Sequence, residues 1–171
     1  MVDKTRLREG IVPRILASWR RPEAIIHDLA PMREGAMLAV LMGAMLVFTI
    51  AQMPGHARAA VLDPSVPFGG RMAGAMMAVV FLMPLLTYTV AALISLFSQL
   101  LPHRCIAPAD SRLALFWALL AISPAMLLSG LVEGLIGPGV ALIVTRLVAG
   151  LGFLFIWGAG LKALVGKHDV Q

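Results

Sequence analysis

Glu133 and Arg146 are the two charged residues that stand inside or against the long apolar runs of this 171-residue chain. A carboxylate and a guanidinium in lipid can serve as part of a proton or substrate path. They can also form a structural pair that fixes helix packing, or an Arg that anchors a lipid headgroup. Arg146 follows Gly139 by seven residues, which places it about 10 Å into the layer by helical rise. An Arg at the centre of a membrane helix is penalised by roughly 2.5–3.5 kcal/mol on insertion scales, so it needs a partner or water. Glu133 closes the preceding apolar run on a face shared with Ser129 and Gly130. Arg146 can therefore snorkel toward it across the hairpin. The structural role is preferred, because a transport path normally needs more than one buried charge pair.

Other reactive residue types lack the company that chemistry requires. Met37, Met42 and Met45 fall in one apolar run, and Met72, Met76, Met77 and Met83 in another. Thioether clusters favour Cu(I), but no Cys or His accompanies these faces within a run, and Met is also an adaptable filler of apolar packing. His56 and His103 are placed in loops on opposite sides. Cys105, the single cysteine, excludes an internal disulfide and any multi-cysteine metal site. Beside Arg104 it could be reactive or acylated, yet reads more simply as an interfacial loop residue. No Gly-rich phosphate loop, Ser/His/Asp set, HExxH motif or paired intramembrane carboxylate is found. The expectation is no enzyme, no cofactor and no metal.

The elements that must position these residues follow from composition. Hydrophobic residues make up 60% of the chain and charged ones 13%, about half the usual ~25%. With a mean hydropathy of +0.90, so much apolar surface cannot be hidden in a water-soluble core of this size. The solvent is lipid. The net charge of +5 does not signal nucleic acid. The basic residues sit mainly in one terminal tail and beside the apolar runs, as headgroup contacts and topology signals do.

The sequence predicts an all-α polytopic transmembrane helix bundle of four spans, at about 36–53, 72–101, 113–132 and 140–157, within a domain covering 36–161. Residues 1–35 form a cytoplasmic or interfacial segment and 162–171 a tail. In the first segment Val12, Ile15, Leu16 and Trp19 recur at helical spacing opposite Arg14 and Arg21. This is the pattern of an interfacial amphipathic helix anchored by Trp19, Arg20 and Arg21, with Trp19 at headgroup depth. Pro22 ends that helix and can start a second over Pro22–Leu29. The first span reads as an uncleaved signal anchor, because the positive region before it is too long for a signal peptide. The Pro- and Gly-rich stretch 54–71 reads as a loop. The thirty uncharged residues 72–101 would reach ~45 Å as a helix, so they must tilt, protrude or bend, and Pro84 is the place for a kink. Tyr88, Ala91, Ala92, Ser95 and Gln99 mark a packing face there, and Asp110 or Ser111 is placed to cap the third helix. Small-xxx-small spacings occur at Gly70/Gly74, Gly130/Gly134 and Ala114/Ala118, within the chain or toward a partner. The seven residues between the last two runs force an antiparallel hairpin. Eleven Lys and Arg fall on one side of this topology and two on the other, which puts both termini in the cytoplasm.

Three stretches carry a family resemblance: SWRRPEAIIHDL (18–29), SRLALFWALL (111–120) and SPAMLLSGLVEGLIGPG (123–139). With them the chain resembles the Yip1-domain family in its short bacterial form. The resemblance implies a multi-helix integral membrane domain; eukaryotic members bind small GTPases and act in vesicle traffic. The chain lacks the long N-terminal region of those members and has four predicted spans where the family often has five, so no functional residue is carried over. The expected function is a non-enzymatic adaptor or accessory subunit of the bacterial inner membrane. Its partners would be membrane lipids and other integral membrane proteins, in a larger complex or a homo-oligomer. The alternative is a small-solute or ion permease using Glu133 and Arg146.

Overall fold

In the computed structural model, which describes residues 10–99 and 106–165, every regular element is a helix. The order is α1 (Ile11–Ser18), α2 (Pro22–Leu29), α3 (Glu34–Leu62), α4 (Phe68–Met76), a π-helical segment (Met77–Leu82), α5 (Met83–Ser98), α6 (Pro108–Ala121), α7 (Ser123–Leu135) and α8 (Val140–Leu164). Three stretches are long and apolar enough to cross a membrane: α3, the continuous Phe68–Ser98 run, and α8. The pair α6–α7 adds a fourth if its bent halves count as one span. In such segments most backbone N–H and C=O groups are satisfied within their own helix, the condition lipid imposes, with exceptions at the prolines and the helix ends.

Packing determines where these helices end. Helix α3 passes straight through Pro54 and continues to Leu62, so the 54–71 stretch is not a loop; only Asp63–Pro67 is. Proline removes one backbone donor and crowds the preceding turn. Here that turn is held against α7, where Gly130 and Gly134 let the two backbones touch. A Cβ on Gly130 would stand 1.7 Å from the Ala51 carbonyl oxygen, and one on Gly134 would stand 2.3 Å from Pro54 Cβ. The Gly130/Gly134 spacing thus serves an interface within the chain. Around Gly74, by contrast, nothing lies within 4 Å.

The third apolar run is two helices that meet at Ile122 with a 41° bend. Pro124 lies in the first turn of α7, where its missing N–H costs nothing but a helix arriving from α6 cannot continue. In the Phe68–Ser98 run the π-helical turns come immediately before Pro84, within reach of the position expected to kink; π-turns are a common accommodation of this kind. The buried face of α5 is Thr87, Ala91, Ser95 and Ser98, whereas Ala92 and Gln99 are exposed. Tyr88 packs edge-on to Phe116 of α6 with centroids 5.0 Å apart.

Helix α6 begins at Pro108 with no side-chain cap. Ser111 does not cap it. Its hydroxyl donates instead to the Ala91 carbonyl at 2.8 Å, and Ser95 Oγ donates to the Ile106 carbonyl at 3.1 Å. Helix α6 is the centre of the bundle, with Ala114, Phe116, Trp117 and Ala118 almost wholly buried. Met37 and Met45 are core filler on α3, while Met76, Met77 and Met83 face outward.

The N-terminal segment is docked into this bundle. Trp117 Nε1 donates to Ser18 Oγ at 2.9 Å, and Ser18 Oγ donates onward to the Arg14 carbonyl at 2.7 Å. Trp19 Nε1 donates to the Ala121 carbonyl at 2.9 Å, at the α6–α7 break. The Trp19 ring lies over Gly152, where a Cβ would meet it at 2.5 Å. Gly152 is the middle residue of α8, so the Trp19 ring is wedged between α8 and the α6–α7 bend. The indole N–H satisfies a buried carbonyl at the helix break, which would cost ~1–3 kcal/mol if left unpaired. Arg20 and Arg21 remain exposed. On α2, Ile26 is fully buried and fits the gap at Gly160 of α8. Ion pairs Lys162–Glu23 (3.2 Å) and Arg112–Glu34 tie this end together.

Candidate functional site: a cleft between α3, α7 and α8

A bend in α6–α7 spreads the helices on either side of it. Helices α3 and α8 each pack against α6 and α7, and between them lies a cleft of about 620 Å³, within the ~300–1,000 Å³ of small-molecule sites. One end is apolar, formed by Phe48 of α3, Leu119 and Ile122 at the α6 terminus, and Phe153 of α8. At its other end stand Gln52 and His56 of α3, Glu133 of α7 and Arg146 of α8. Phe48, Gln52 and His56 recur every four residues, so one face of α3 carries the cleft wall from apolar to polar. The two ends are separated by about 10–12 Å of helical rise.

Within the polar end Arg146 Nη2 donates to Glu133 Oε2 at 3.0 Å. The two residues singled out from sequence are thus brought together across the α7–α8 hairpin, as snorkelling requires. The hairpin is tighter than expected, with four residues (136–139) between Leu135 and Val140. The pair is open to its surroundings, with 58% of the Arg146 and 39% of the Glu133 side-chain surface accessible. Gly55 makes the pairing possible, since a Cβ there would sit 3.0 Å from Glu133 Cγ and Cδ. Leu142 and Ala149, on the Arg146 face, are buried.

Sequence reasoning missed Gln52 and His56, because ending the first span at residue 53 put His56 in a loop. Its Nε2 is buried in the cleft wall without a hydrogen-bond partner. Gln52 Nε2 donates to the Phe48 carbonyl at 3.3 Å. The Gln52/His56 i, i+4 spacing was the available signal.

Arg58 falls in the 54–71 stretch that the sequence predicts as a loop, yet it stands on α3. It reaches from α3 to the last turn of α7, donating from Nη1 to the Gly134 and Leu135 carbonyls at 3.4 and 3.5 Å. Those carbonyls lack helical donors and form the negative end of the helix dipole. Gly137 at φ +92° ends the turn, where a Cβ would strike the Arg58 guanidinium at 2.7 Å. Beyond α3, Asp63 accepts from Ser65 Oγ at 2.6 Å and Ser65 N at 3.1 Å, and pairs with Arg71 at 3.0 Å. These bonds, the Ser65 hydroxyl's first, hold its carboxyl below the usual aspartate value.

Among the described residues no three His, Cys, Asp or Glu side chains come together as a metal site. His103 and Cys105 lie outside the described residues. Comparison with family models, curated proteins and solved structures found no match.

Proposed function

We propose that the chain is a four-span, non-enzymatic protein of the bacterial inner membrane, with both termini cytoplasmic, that acts as an adaptor or accessory subunit for other integral membrane proteins. The observation that carries this reading is the outer face of the Phe68–Ser98 run. Only 17% of its most apolar window is buried within the chain. Phe81, Leu85 and Phe97 are 60–67% exposed, while the run packs on α3 through α4 and the π-helical segment and on α6 through α5. A helix held along one edge leaves a long apolar surface for lipid and for a neighbouring helix. The excess of Lys and Arg on one side supports the orientation. The resemblance to Yip1-domain proteins belongs to the same reading. Purification in mild detergent is expected to yield a stoichiometric larger complex or an oligomer. A lone monomer without a partner overturns the proposal.

A second reading, a small-solute or ion permease, draws support from the cleft and its Glu133–Arg146 pair. It predicts that Arg146→Ala abolishes flux in reconstituted vesicles while the protein stays folded, and it fails if the unaltered protein never exceeds empty vesicles. The adaptor reading is preferred because the end of the cleft lined by Phe48, Ile122 and Phe153 carries no charged side chain, and a transport path normally needs more than one charge pair.

A further inference from the structure

We infer that the cleft between α3, α7 and α8 is a binding site for a zwitterionic phospholipid, one whose headgroup joins a primary ammonium to a phosphodiester. The proposal needs only that the chain lies in a membrane; it does not depend on a protein partner.

The gradient along the cleft sets the chemical class of the ligand. Its polar end holds Gln52, His56, Glu133 and Arg146, and its other end is lined by Phe48, Ile122 and Phe153. A water-soluble solute would leave the apolar end unmatched, and a plain hydrocarbon chain would strand the polar end. An amphiphile satisfies both, with its head at Arg146 and an acyl chain running the 10–12 Å toward Phe153. The surroundings of that chain are already apolar, so what it gains in the cleft is close van der Waals contact with these side chains and not transfer out of water.

Charge then selects among amphiphiles. Glu133 and Arg146 are one negative and one positive group 3.0 Å apart. A purely anionic headgroup would meet Arg146 only by lying against the Glu133 carboxylate. A headgroup carrying both charges meets both: the phosphodiester takes the Arg146 guanidinium, which has donors beyond the one used on Glu133, and the ammonium takes Glu133. The buried, unpartnered His56 Nε2 and the Gln52 carbonyl oxygen, whose amide nitrogen is already committed to Phe48, supply further polar contacts. A primary ammonium has three donors for such a set; a quaternary one has none.

Gly150 offers a test that leaves these groups in place. It lines the cleft, and nothing lies within 4 Å of a Cβ built on it, so a side chain can start there and Gly150→Phe adds a ring at the cleft wall. The full-length protein in non-ionic detergent is titrated with phosphatidylethanolamine, phosphatidylcholine, phosphatidylglycerol and water-soluble glycerophosphoethanolamine, and bound lipid is counted by native mass spectrometry. Thermal melting of each variant verifies folding. One phosphatidylethanolamine is expected per chain, retained about tenfold over phosphatidylglycerol and over phosphatidylcholine. Arg146→Gln and Glu133→Gln should each lower retention about tenfold, the scale of one charge-assisted hydrogen bond, and Gly150→Phe should abolish it. Equal retention of the lipids, or retention unchanged in a folded Gly150→Phe protein, overturns the inference. So does displacement of the lipid by equimolar glycerophosphoethanolamine, since the acyl chain then contributes nothing. A protein that binds no lipid yet co-purifies with a partner refutes this site and leaves the adaptor reading intact.

Discussion

Gly130→Ala tests the α3–α7 contact on which the cleft depends. The added Cβ would lie 1.7 Å from the Ala51 carbonyl oxygen, about half of an ordinary ~3.5 Å contact. Neither atom can rotate away, because one is backbone and the other a Cβ. The helices must therefore separate by on the order of 1.5–2 Å. Overpacking of this kind typically costs ~1–3 kcal/mol, and the rigidity of both partners puts this site near the upper figure. The same shift would loosen the Pro54–Gly134 contact and draw Gly55 away from Glu133. Gly150→Ala is the matched control. It also replaces a helical glycine by alanine, with nothing within 4 Å, and by helix propensity alone it is neutral or stabilising by up to ~1 kcal/mol. Reversible unfolding in mixed micelles, followed by circular dichroism against denaturing detergent, should show a clear loss of stability for Gly130→Ala and none for Gly150→Ala. Identical curves for Gly130→Ala and the unaltered protein would mean that α3 and α7 do not meet at Ala51, and the account of why α3 survives Pro54 would fail with it.

Three further outcomes follow from named contacts. Trp19→Phe keeps most of the ring but removes the N–H that serves the Ala121 carbonyl; a loss of about 1–2 kcal/mol is expected in the same unfolding assay, and no loss would return Trp19 to the interface. Arg58→Met keeps the apolar stem and removes the charge at the α7 terminus; it should cost about 0.5–1.5 kcal/mol and raise amide exchange at residues 135–137, with unchanged exchange counting against the cap. For Asp63, whose folded carboxyl is depressed, the stabilisation of the 63–67 turn is present above the unfolded aspartate pKa and is lost as pH falls through the folded value. A carboxyl NMR titration should therefore give a midpoint below an ordinary aspartate, moved upward by Ser65→Ala; an unshifted midpoint refutes the Ser65 contacts.

Composition and periodicity alone determined the solvent and the class of fold. A chain this apolar must place helices in lipid, and lipid permits no unpaired backbone, so an all-helical membrane protein was legible in the sequence. The α1–α2 pair was legible from Pro22 and the spacing of Ile15 and Trp19, and the Glu133–Arg146 pair from the brevity of their hairpin. These are short-range matters, fixed within a few residues or one turn.

What only the tertiary structure decided depends on contacts between distant segments. Proline was read as a terminator at Pro54 and passed over at Pro124, yet the helix runs through the first and breaks at the second. At Pro54 the glycines of α7, some eighty residues on, clamp the helix on both sides of the lost hydrogen bond. At Pro124 the buried Ala121 carbonyl at the break finds the Trp19 indole, about a hundred residues away, which stabilises the break. The choice of which proline bends the chain put His56 on a helix, opened the cleft beside Glu133 and Arg146, and gave Trp19 a partner inside the bundle. Local propensity ranks each residue's options, and the partner that satisfies a backbone group selects among them.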